Sequence, residues 1–252
     1  VWSLPPLENI LVSSSFNLKF GNTCFQGNTS AAEGRELLNM NDEESYGAFL
    51  NFGFSPEFNV VKNKIDNNYH TIAGFSASKR YGSNFSNAEG FRNALNFDSK
   101  IYYENLKKSY KTNYENNYNA VYDESLIDSI INESKQYEKV FAYALTINTH
   151  PPFVLDKDNI KNIENYRKSK YELLNIFDQN ENAFDQFYRI FSIIDHLFKK
   201  VEEDNSIFDR ILVIGDHPNP DFNSRSLYND NVVPVSYTHL RAHETLRYLV
   251  CR

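Results

Sequence analysis

The chain has 252 residues, of which 41% are hydrophobic, 15% aromatic and 23% charged, and its formal net charge is −7. This balance is typical of a folded domain with a sizeable core; it excludes fibres and wholesale disorder, and no window reaches the roughly 18 apolar residues of a membrane-spanning helix. The acidic charge leaves no basic stripe that could follow a phosphate backbone, so we expect no nucleic-acid partner.

The first chemically informative segment is GNTSAAEGRELL, at residues 27–38. Ser30 and Glu33 have the spacing of a capping box, so we expect a helix to begin at Ser30. The unpaired amides at such a helix start favour a phosphate or a similar anion beside Thr29. A threonine hydroxyl is a poor nucleophile unless a divalent cation lowers its pKa. Thr29 is therefore either a capping residue, which this segment alone favours, or an activated nucleophile.

Two helices and two strands then alternate along the chain. Asp123 is predicted to cap the first helix, and the second is predicted over residues 182–203, where a wide apolar stripe is typical of core. The runs VFAYALTI at 140–147 and RILVIGD at 210–216 are typical of central strands that are covered on both faces. This alternation predicts an α/β sheet with helices on its faces, whose ligands gather at the carboxyl ends of the strands.

Polar residues follow both predicted strands. The first strand ends in NTHPP, which contains His150, and the second in GDHP, which contains Asp216 and His217. An adjacent carboxylate and imidazole held by a glycine turn make a compact pair of hard metal ligands. Asp-His pairs also occur in ordinary turns, and His150 could be a structural histidine before two prolines. Taken alone, the two motifs favour those ordinary roles.

The composition changes after Pro234. The last 18 residues, VSYTHLRAHETLRYLVCR, contain three Arg, two of the six His and one of the two Cys. VSYTHLRAHET resembles a translated sequencing-library adapter, and no cap, turn or amphipathic period joins it to the preceding segment. We therefore expect residues 1–234 to form one domain and residues 235–252 to be a non-native tail; the alternative is a genuine C-terminal helix. Without the tail, Cys24 has no partner for an internal disulfide.

Taken together and in this order, three segments resemble the sulfatase-like hydrolase/transferase branch of the alkaline phosphatase superfamily. This branch includes lipoteichoic acid synthases and phosphoglycerol and phosphoethanolamine transferases. The matching segments are FQGNTSAAEGRELLN (25–39), FAYALTINTHPPF (141–153) and RILVIGDHPNPDFNSRSLYNDNVVP (210–234). The resemblance covers residues 1–234 and implies an α/β, alkaline phosphatase-like fold, with a central, mostly parallel sheet and helices on both faces.

The resemblance also implies a role for each candidate residue. Thr29 falls on the family's metal-bound nucleophile, which forms a covalent phospho-threonine intermediate. Asp216 and His217 fall on its metal ligands, so that together with Thr29 they would hold one divalent ion, Mn, Mg or Zn. His150 falls where a histidine contacts the substrate phosphate or protonates the leaving group, a role that suits an imidazole.

The implied reaction moves a phospho-linked head group, of phosphoglycerol or phosphoethanolamine type, from a phospholipid donor onto an envelope glycan acceptor. One alternative is a phosphodiesterase of the same fold, and another is an inactive relative that binds glycan or lipid head groups. A sulfatase in the strict sense is disfavoured, because neither CFQGN nor TSAAE fits the Cys/Ser-x-Pro-x-Arg motif of those enzymes.

The sequence departs from the family's pattern near the substrate site. Where relatives often have His-Gly-Phe and Phe-Tyr-Asn-Arg, this chain has AGF at 73–75 and FSNA at 85–88, so the usual substrate-binding Arg is missing. Lys79, Arg80 and Arg92 are candidates for the replacement, and their spacing does not choose among them. We predict substrate binding by His150, by Arg80 and by the further cation Arg35.

The family also has a metal-ligating Glu in a Glu-Ser-Trp-Gly-like stretch, whereas this chain begins VWSL. That Glu would precede Val1, so we expect a chain that is truncated at both ends and inactive by itself because its metal shell is incomplete. Relatives carry transmembrane helices before this domain. The resemblance therefore implies an N-terminal membrane anchor outside this chain and a catalytic domain that is periplasmic or extracellular.

Overall fold

A computed structural model describes residues 29–40, 59–81, 88–108, 120–148, 150, 181–204 and 206–215, together with the backbone of strands at 16–20, 23–24, 231–232, 235–239 and 250–251. At residues 30, 31 and 181–188 it describes the backbone alone. Asp216 and His217 lie outside the described residues, whereas Thr29, His150 and the two predicted substrate arginines lie within them.

The strands of the described residues form two sheets. Seven strands form the main sheet in the order β1-β8-β6-β9-β5-β3-β4, and β2 pairs with β7. All strands of the main sheet run parallel except β8, which is antiparallel to its neighbours β1 and β6. The sheet is therefore mostly parallel, as predicted. The strands are β1 (Phe16–Phe20), β2 (Thr23–Cys24), β3 (His70–Phe75), β4 (Ser99–Ile101), β5 (Val140–Leu145), β6 (Arg210–Val213), β7 (Asn231–Val232), β8 (Val235–His239) and β9 (Val250–Cys251).

The sequence predicts two of the central strands of the sheet, β5 and β6, but not β3. β5 and β6 lie within the predicted runs 140–147 and 210–216, and each ends before its polar motif begins. β3 pairs with β5 over its whole length, from His70 opposite Val140 to Phe75 opposite Leu145, yet the sequence does not predict it. HTIAGF opens with two polar residues and contains a glycine, so it lacks the continuous apolar run of a central strand.

Helices cover both faces of this sheet. The described helices are α1 (Thr29–Leu38), α2 (Val60–Asp66), α3 (Ala88–Ala94), α4 (Tyr103–Leu106), α5 (Asp123–Ser134) and α6 (Glu181–Glu203). Alternate side chains of β3 and β5 enter two separate cores, because successive residues of a strand point to opposite faces. Ala73 and Tyr143 pack with α1, α2 and α3, whereas Ile72 and Ala142 pack with α5 and α6. The predicted helix at 182–203 is α6, and its stripe is buried at Ile194, Leu197, Phe198 and Val201.

Gly74 sets the distance between β3 and α5. A Cβ at this position would lie 2.6 Å from Ile130 Cδ1 and 2.8 Å from Leu126 Cδ1, closer than side chains pack. Both neighbours belong to the buried core on that face of the sheet. The glycine of the AGF motif therefore allows α5 to lie directly against the strand.

Two predicted helix starts differ from the structure. α1 begins at Thr29, one residue before the predicted start. Tyr122, not Asp123, is the N-cap of α5, and the cap has no side-chain hydrogen bond. The carboxylate of Asp123 is bound to groups outside its own helix.

The described parts of residues 235–252 are strands rather than a helix. β8 lies between β1 and β6, and β9 lies between β5 and β6. Strand pairing does not identify the origin of a segment, so the non-native tail stays a prediction. Among the described helices, none is both long and apolar enough to span a membrane.

Candidate active site at the carboxyl end of the sheet

Polar residues follow three parallel strands of the main sheet, β3, β5 and β6. Ser76 comes directly after β3, Asn148 and His150 follow β5, and Gly215 follows β6. The carboxyl ends of parallel strands meet at one edge of a sheet, where α/β proteins bind their ligands. Gly215, the last described residue after β6, therefore lies at the same edge of the sheet as Asn148.

The turn after β5 is fixed by a buried carboxylate. Asp123 is fully buried, and it accepts hydrogen bonds from the backbone amides of Ile147 (3.1 Å) and Asn148 (2.9 Å) and from the hydroxyl of Ser76. One side chain of α5 therefore joins the residues that follow β3 and β5. The buried amides of Ile147 and Asn148 thus both have a hydrogen-bond partner, as buried amides in folded proteins almost always do.

The side chain of Asn148 continues this polar cluster. Its Oδ1 accepts hydrogen bonds from the amide of Asp123 and from Arg189, both at 2.8 Å, and its Nδ2 donates to the carbonyl of Val121 at 3.0 Å. Arg189, on α6, is also paired with Glu124. The turn is thus held from α5, from α6 and from the segment that precedes α5.

Burial dominates the electrostatics of Asp123. It raises the pKa of this carboxyl from the ordinary 3.8 to about 6, although the Ser76 hydroxyl, Arg189 and the amides of Asn148 and Ile147 act to lower it. The charged form in the interior is disfavoured because the carboxylate has lost its water.

His150 lies at the end of this turn, against an aromatic residue from the neighbouring loop. Its amide donates to the carbonyl of Ile147 at 2.9 Å, and its Nε2 lies 3.4 Å from the hydroxyl of Tyr81. The two rings meet edge to face with centroids 6.3 Å apart, and Tyr81 in turn packs edge to face against Phe75, at 5.5 Å. The structure therefore brings together His150 and the loop after β3.

That loop also carries Arg80, which is exposed. The carboxylate of Glu104 holds the loop by accepting from the Ser78 hydroxyl at 2.6 Å and the Lys79 amide at 3.1 Å. Partial burial acts to raise the pKa of Glu104, but these two hydrogen bonds, a third from its own amide and the charge of Lys79 together lower it. Lys79 itself forms an ion pair with Glu89 at 3.0 Å.

A second buried carboxylate anchors the helix that begins at Thr29. Glu33, one turn along α1, accepts from Arg92 at 3.0 Å and from the hydroxyl of Tyr143 at 2.9 Å. Glu33 and Arg92 are each 1% exposed, and the Arg92 guanidinium lies over the rings of Phe75 and Tyr143. These contacts join α1 to α3 and to the centre of β5. They hold in place the helix that begins at Thr29.

A sequence model of the sulfatase family matches residues 35–219 of the chain. The chain belongs to the sulfatase family. The match includes Arg35, Arg80, His150, Asp216 and His217, and it begins after Thr29. A comparison with curated protein sequences gives no significant match.

Three solved structures share the fold. The lipoteichoic acid synthase LtaP from Listeria monocytogenes has a TM-score of 0.62 at 15% identity, over 98% of this chain and 62% of that one. The C-terminal periplasmic domain of EptC from Escherichia coli, in complex with Zn, has a TM-score of 0.56 at 13% identity, over 94% and 66%. An alkaline phosphatase superfamily protein from Vibrio parahaemolyticus has a TM-score of 0.53 at 18% identity, over 77% and 43%.

Because every identity is below 20%, these likenesses show a shared fold and nothing further. The predicted alkaline phosphatase-like sheet is confirmed. The chain spans 62%, 66% and 43% of the LtaP, EptC and Vibrio chains.

Within this sulfatase-family fold, the described residues bear on two predicted roles. Glu33 is bound to Arg92 and Tyr143. The side chain of Ser30 lies outside the described residues, so its capping box with Glu33 stays a prediction. Arg92 is a candidate substrate cation in the sequence, but it is buried against Glu33 and is thereby excluded as a surface ligand. Sequence reasoning also missed the roles of Asp123 and Tyr81, because their partners lie 24 to 69 residues away.

The remaining predicted residues keep their assignments as predictions. Thr29 is half-buried at the start of α1, and Arg35 lies on the same helix with its guanidinium 3.9 Å from Glu36. The part of the chain that the structure describes contains no group of three or more His, Cys, Asp and Glu residues that could hold a metal. The predicted metal ligands Asp216 and His217 lie outside that part.

The buried ion pair makes a prediction for stability. We expect Arg92→Met to lower the free energy of unfolding by about 3–5 kcal/mol, because Glu33 stays buried without its cation. The double variant Glu33→Gln/Arg92→Met should lose less than Arg92→Met alone, because no charge remains buried. Urea unfolding followed by circular dichroism measures both, and the exposed Arg80→Met serves as the control. A double variant as unstable as the single one would contradict this account.

The raised pKa of Asp123 makes a second prediction. The folded pKa lies above the unfolded value, so its contribution to stability is fully present below pH 3.8 and is lost as the pH rises through about 6. At about 1.4 kcal/mol per pKa unit, the loss is about 3 kcal/mol. The free energy of unfolding of the unmodified chain should therefore fall by this amount relative to Asp123→Asn across that window. A difference that does not change with pH would refute it; Asp209→Asn, at an exposed position, is the control.

Proposed function

We propose that the chain is the catalytic part of a metal-dependent transferase that moves a phospho-linked head group onto an envelope glycan through a phospho-threonine intermediate. The head group is of the phosphoglycerol or phosphoethanolamine type. The observation that carries the proposal is the fixed turn with His150 at the carboxyl edge of a sulfatase-family sheet, which also contains β6, the parallel strand that precedes Asp216 and His217 in the chain. The LtaP and EptC structures share this fold.

In the first half of the reaction, the Thr29 hydroxyl releases its proton to solvent, its oxygen forms a bond to the phosphorus of the donor, and the bond from phosphorus to the lipid oxygen breaks. His150 donates a proton to that departing oxygen. The positive end of the α1 helix dipole lies at Thr29, and it favours the negative charge of the phosphoryl group. The Glu33 cluster, one turn further along, holds this helix in place.

In the second half, a sugar hydroxyl of the glycan attacks the phosphorus on Thr29, and His150 accepts the proton of that hydroxyl. The bond between phosphorus and the Thr29 oxygen then breaks, and this oxygen takes up a proton from solvent, which restores the threonine. Water in place of the sugar would release the head group and make the same site a phosphodiesterase. The acceptor therefore decides between transferase and hydrolase.

The proposed ligand set for one divalent ion is the Thr29 hydroxyl, the Asp216 carboxylate and the His217 imidazole. Oxygen and imidazole donors suit Zn and Mn, and carboxylate and hydroxyl oxygens also suit Mg. When bound, such an ion lowers the pKa of the threonine hydroxyl and offsets the phosphoryl charge. The Zn complex of the EptC domain supports an ion of this kind in the fold.

Arg80 and Arg35 are the proposed cations for the substrate phosphate. Arg80 is exposed and precedes Tyr81, whose hydroxyl contacts His150. The donor is a phospholipid, so the catalytic domain is proposed to work outside the cytoplasmic membrane, in the periplasm or the extracellular space, with the protein anchored in that membrane. The periplasmic location of the EptC domain supports this arrangement.

Metal binding tests the ligand set. In the protein made from the complete reading frame, we expect about one Mn, Mg or Zn ion per chain, as metal-activated sites of this type require. Asp216→Ala should lose the ion, because a carboxylate ligand is removed. Asp209→Ala, at the opposite end of β6, should keep it. Elemental analysis and calorimetric titration measure both; retention of the ion by Asp216→Ala would exclude this site.

Trapping of the intermediate tests the chemistry. After incubation with a phosphatidylglycerol vesicle or bis(4-nitrophenyl) phosphate, mass spectrometry should find the phosphoryl-linked group on Thr29. Thr29→Ala should lose the adduct and at least roughly 10³-fold in turnover, because the nucleophile is gone, whereas the neighbouring Ser30→Ala should retain both. Head-group release without transfer to glycan would identify a hydrolase. Binding without any adduct would identify an inactive relative.

A further inference from the structure

Asp123 is placed where it can control the turn but cannot touch the substrate. It is fully buried at the first residue of α5, and its carboxylate is bound by Ser76 and by two backbone amides of the turn after β5. The N-cap of α5 is Tyr122, so Asp123 is not the capping residue of its own helix. The carboxylate therefore serves the two strand ends.

The turn has a second fastening on its other side. The side chain of Asn148 is 3% exposed and bonds to the Asp123 amide, the Val121 carbonyl and Arg189. Arg189 is itself 6% exposed and paired with Glu124. Asp123 and Asn148 thus bind one another twice, once through each residue's amide and side chain.

His150 follows two residues later and is the first described residue beyond this fastening. Its amide closes the turn on Ile147, the same residue whose amide binds Asp123. Its imidazole lies against Tyr81, from the loop that begins at Ser76, which Asp123 also binds. The turn that contains His150 and the loop that contacts its ring are therefore both hydrogen-bonded to the carboxylate of Asp123.

We infer that Asp123 is a positioning residue for His150, acting through the turn at Ile147 and Asn148 and through Ser76. The inference rests on the proposed function, in which His150 transfers the proton of the leaving group. A shift of about 1 Å in such a group can lower a rate by roughly 100-fold, so the buried carboxylate sets the rate without contacting the substrate.

The first test needs no activity and uses the 252-residue chain. By nuclear magnetic resonance, the amides of Ile147 and Asn148 should exchange as slowly as those of β5, because their hydrogen bonds open only when the core does. Asp123→Asn should raise their exchange at least about 10-fold and weaken the Overhauser contact between the Tyr81 and His150 rings. Unchanged exchange and an unchanged contact would overturn the inference.

Two further variants keep this test decisive. Asp128→Asn is the matched control, because it makes the same substitution on the same helix at a carboxylate that pairs with His196. It should leave the exchange of Ile147 and Asn148 within about twofold. If Asp123→Asn does not fold, Asn148→Ala loosens the same turn from its other side, and the loss of the Tyr81 to His150 contact is expected again. A contact that persists in Asn148→Ala would count against the inference.

The second test uses turnover of bis(4-nitrophenyl) phosphate by the protein from the complete reading frame. Asp123→Asn should lower kcat roughly 10- to 100-fold with KM changed by less than about threefold. In a His150→Ala background the same substitution should lower kcat by no more than about twofold, because the group it positions is absent. Effects that multiply would overturn the positioning role and leave only a general loss of stability.

The two tests separate the inference from the proposed function. If His150→Ala turns over the phosphodiester as fast as the unmodified protein, the proposed role of His150 fails, and the catalytic part of the inference fails with it. The exchange measurement still decides whether Asp123 fixes the turn. If turnover depends on His150 but not on Asp123, the function stands and the inference is overturned.

Discussion

The candidate site depends on the hydrogen bonds between the carboxylate of Asp123 and the backbone amides of Ile147 and Asn148. A parallel strand ends in unpaired amides, and buried amides need partners, so the chain after β5 must bind some acceptor or turn out to water. A helix on one face of the sheet supplies that acceptor. The same carboxylate binds Ser76 after β3, so the two central strands end in a common frame, and Arg189 offsets part of its charge.

A second carboxylate does the corresponding work on the opposite face. Glu33 joins α1 to Arg92 on α3 and to Tyr143 in β5, and all three side chains are buried. Pairing offsets the desolvation of both charges only when the geometry is good, and such pairs specify position more than they add stability. Through Glu33, the helix that starts with Thr29 is oriented against β5, the strand that carries His150 at its end. Thr29 and His150, which are 121 positions apart in the chain, are thus both positioned relative to β5.

The sequence predicts the parts of this fold that depend on local patterns. A strand that is buried on both faces has a continuous apolar run, and this pattern predicts β5 and β6. A helix that is buried on one face has apolar residues at spacings of three and four, and this pattern predicts α6. β3 leaves no such period, since His70, Thr71 and Gly74 interrupt it. The sequence predicts Asp123 as a helix cap and Glu33 as part of a capping box, because acidic residues near the start of a helix often have these roles. Their actual partners lie up to 110 residues away, and no local pattern records a contact at that distance.

The same contacts narrow the choice among the cations that the sequence predicts for the substrate phosphate. Of the three candidate cations in this region, Arg92 is buried against Glu33 and Lys79 is paired with Glu89, whereas Arg80 is exposed. Arg80 also lies on the loop that Glu104 fixes and that reaches His150 through Tyr81. A cation on that loop can meet a phosphate beside His150 without disturbing either buried carboxylate. Exposure and a position on this loop therefore favour Arg80 over Arg92 and Lys79 as the predicted substrate cation.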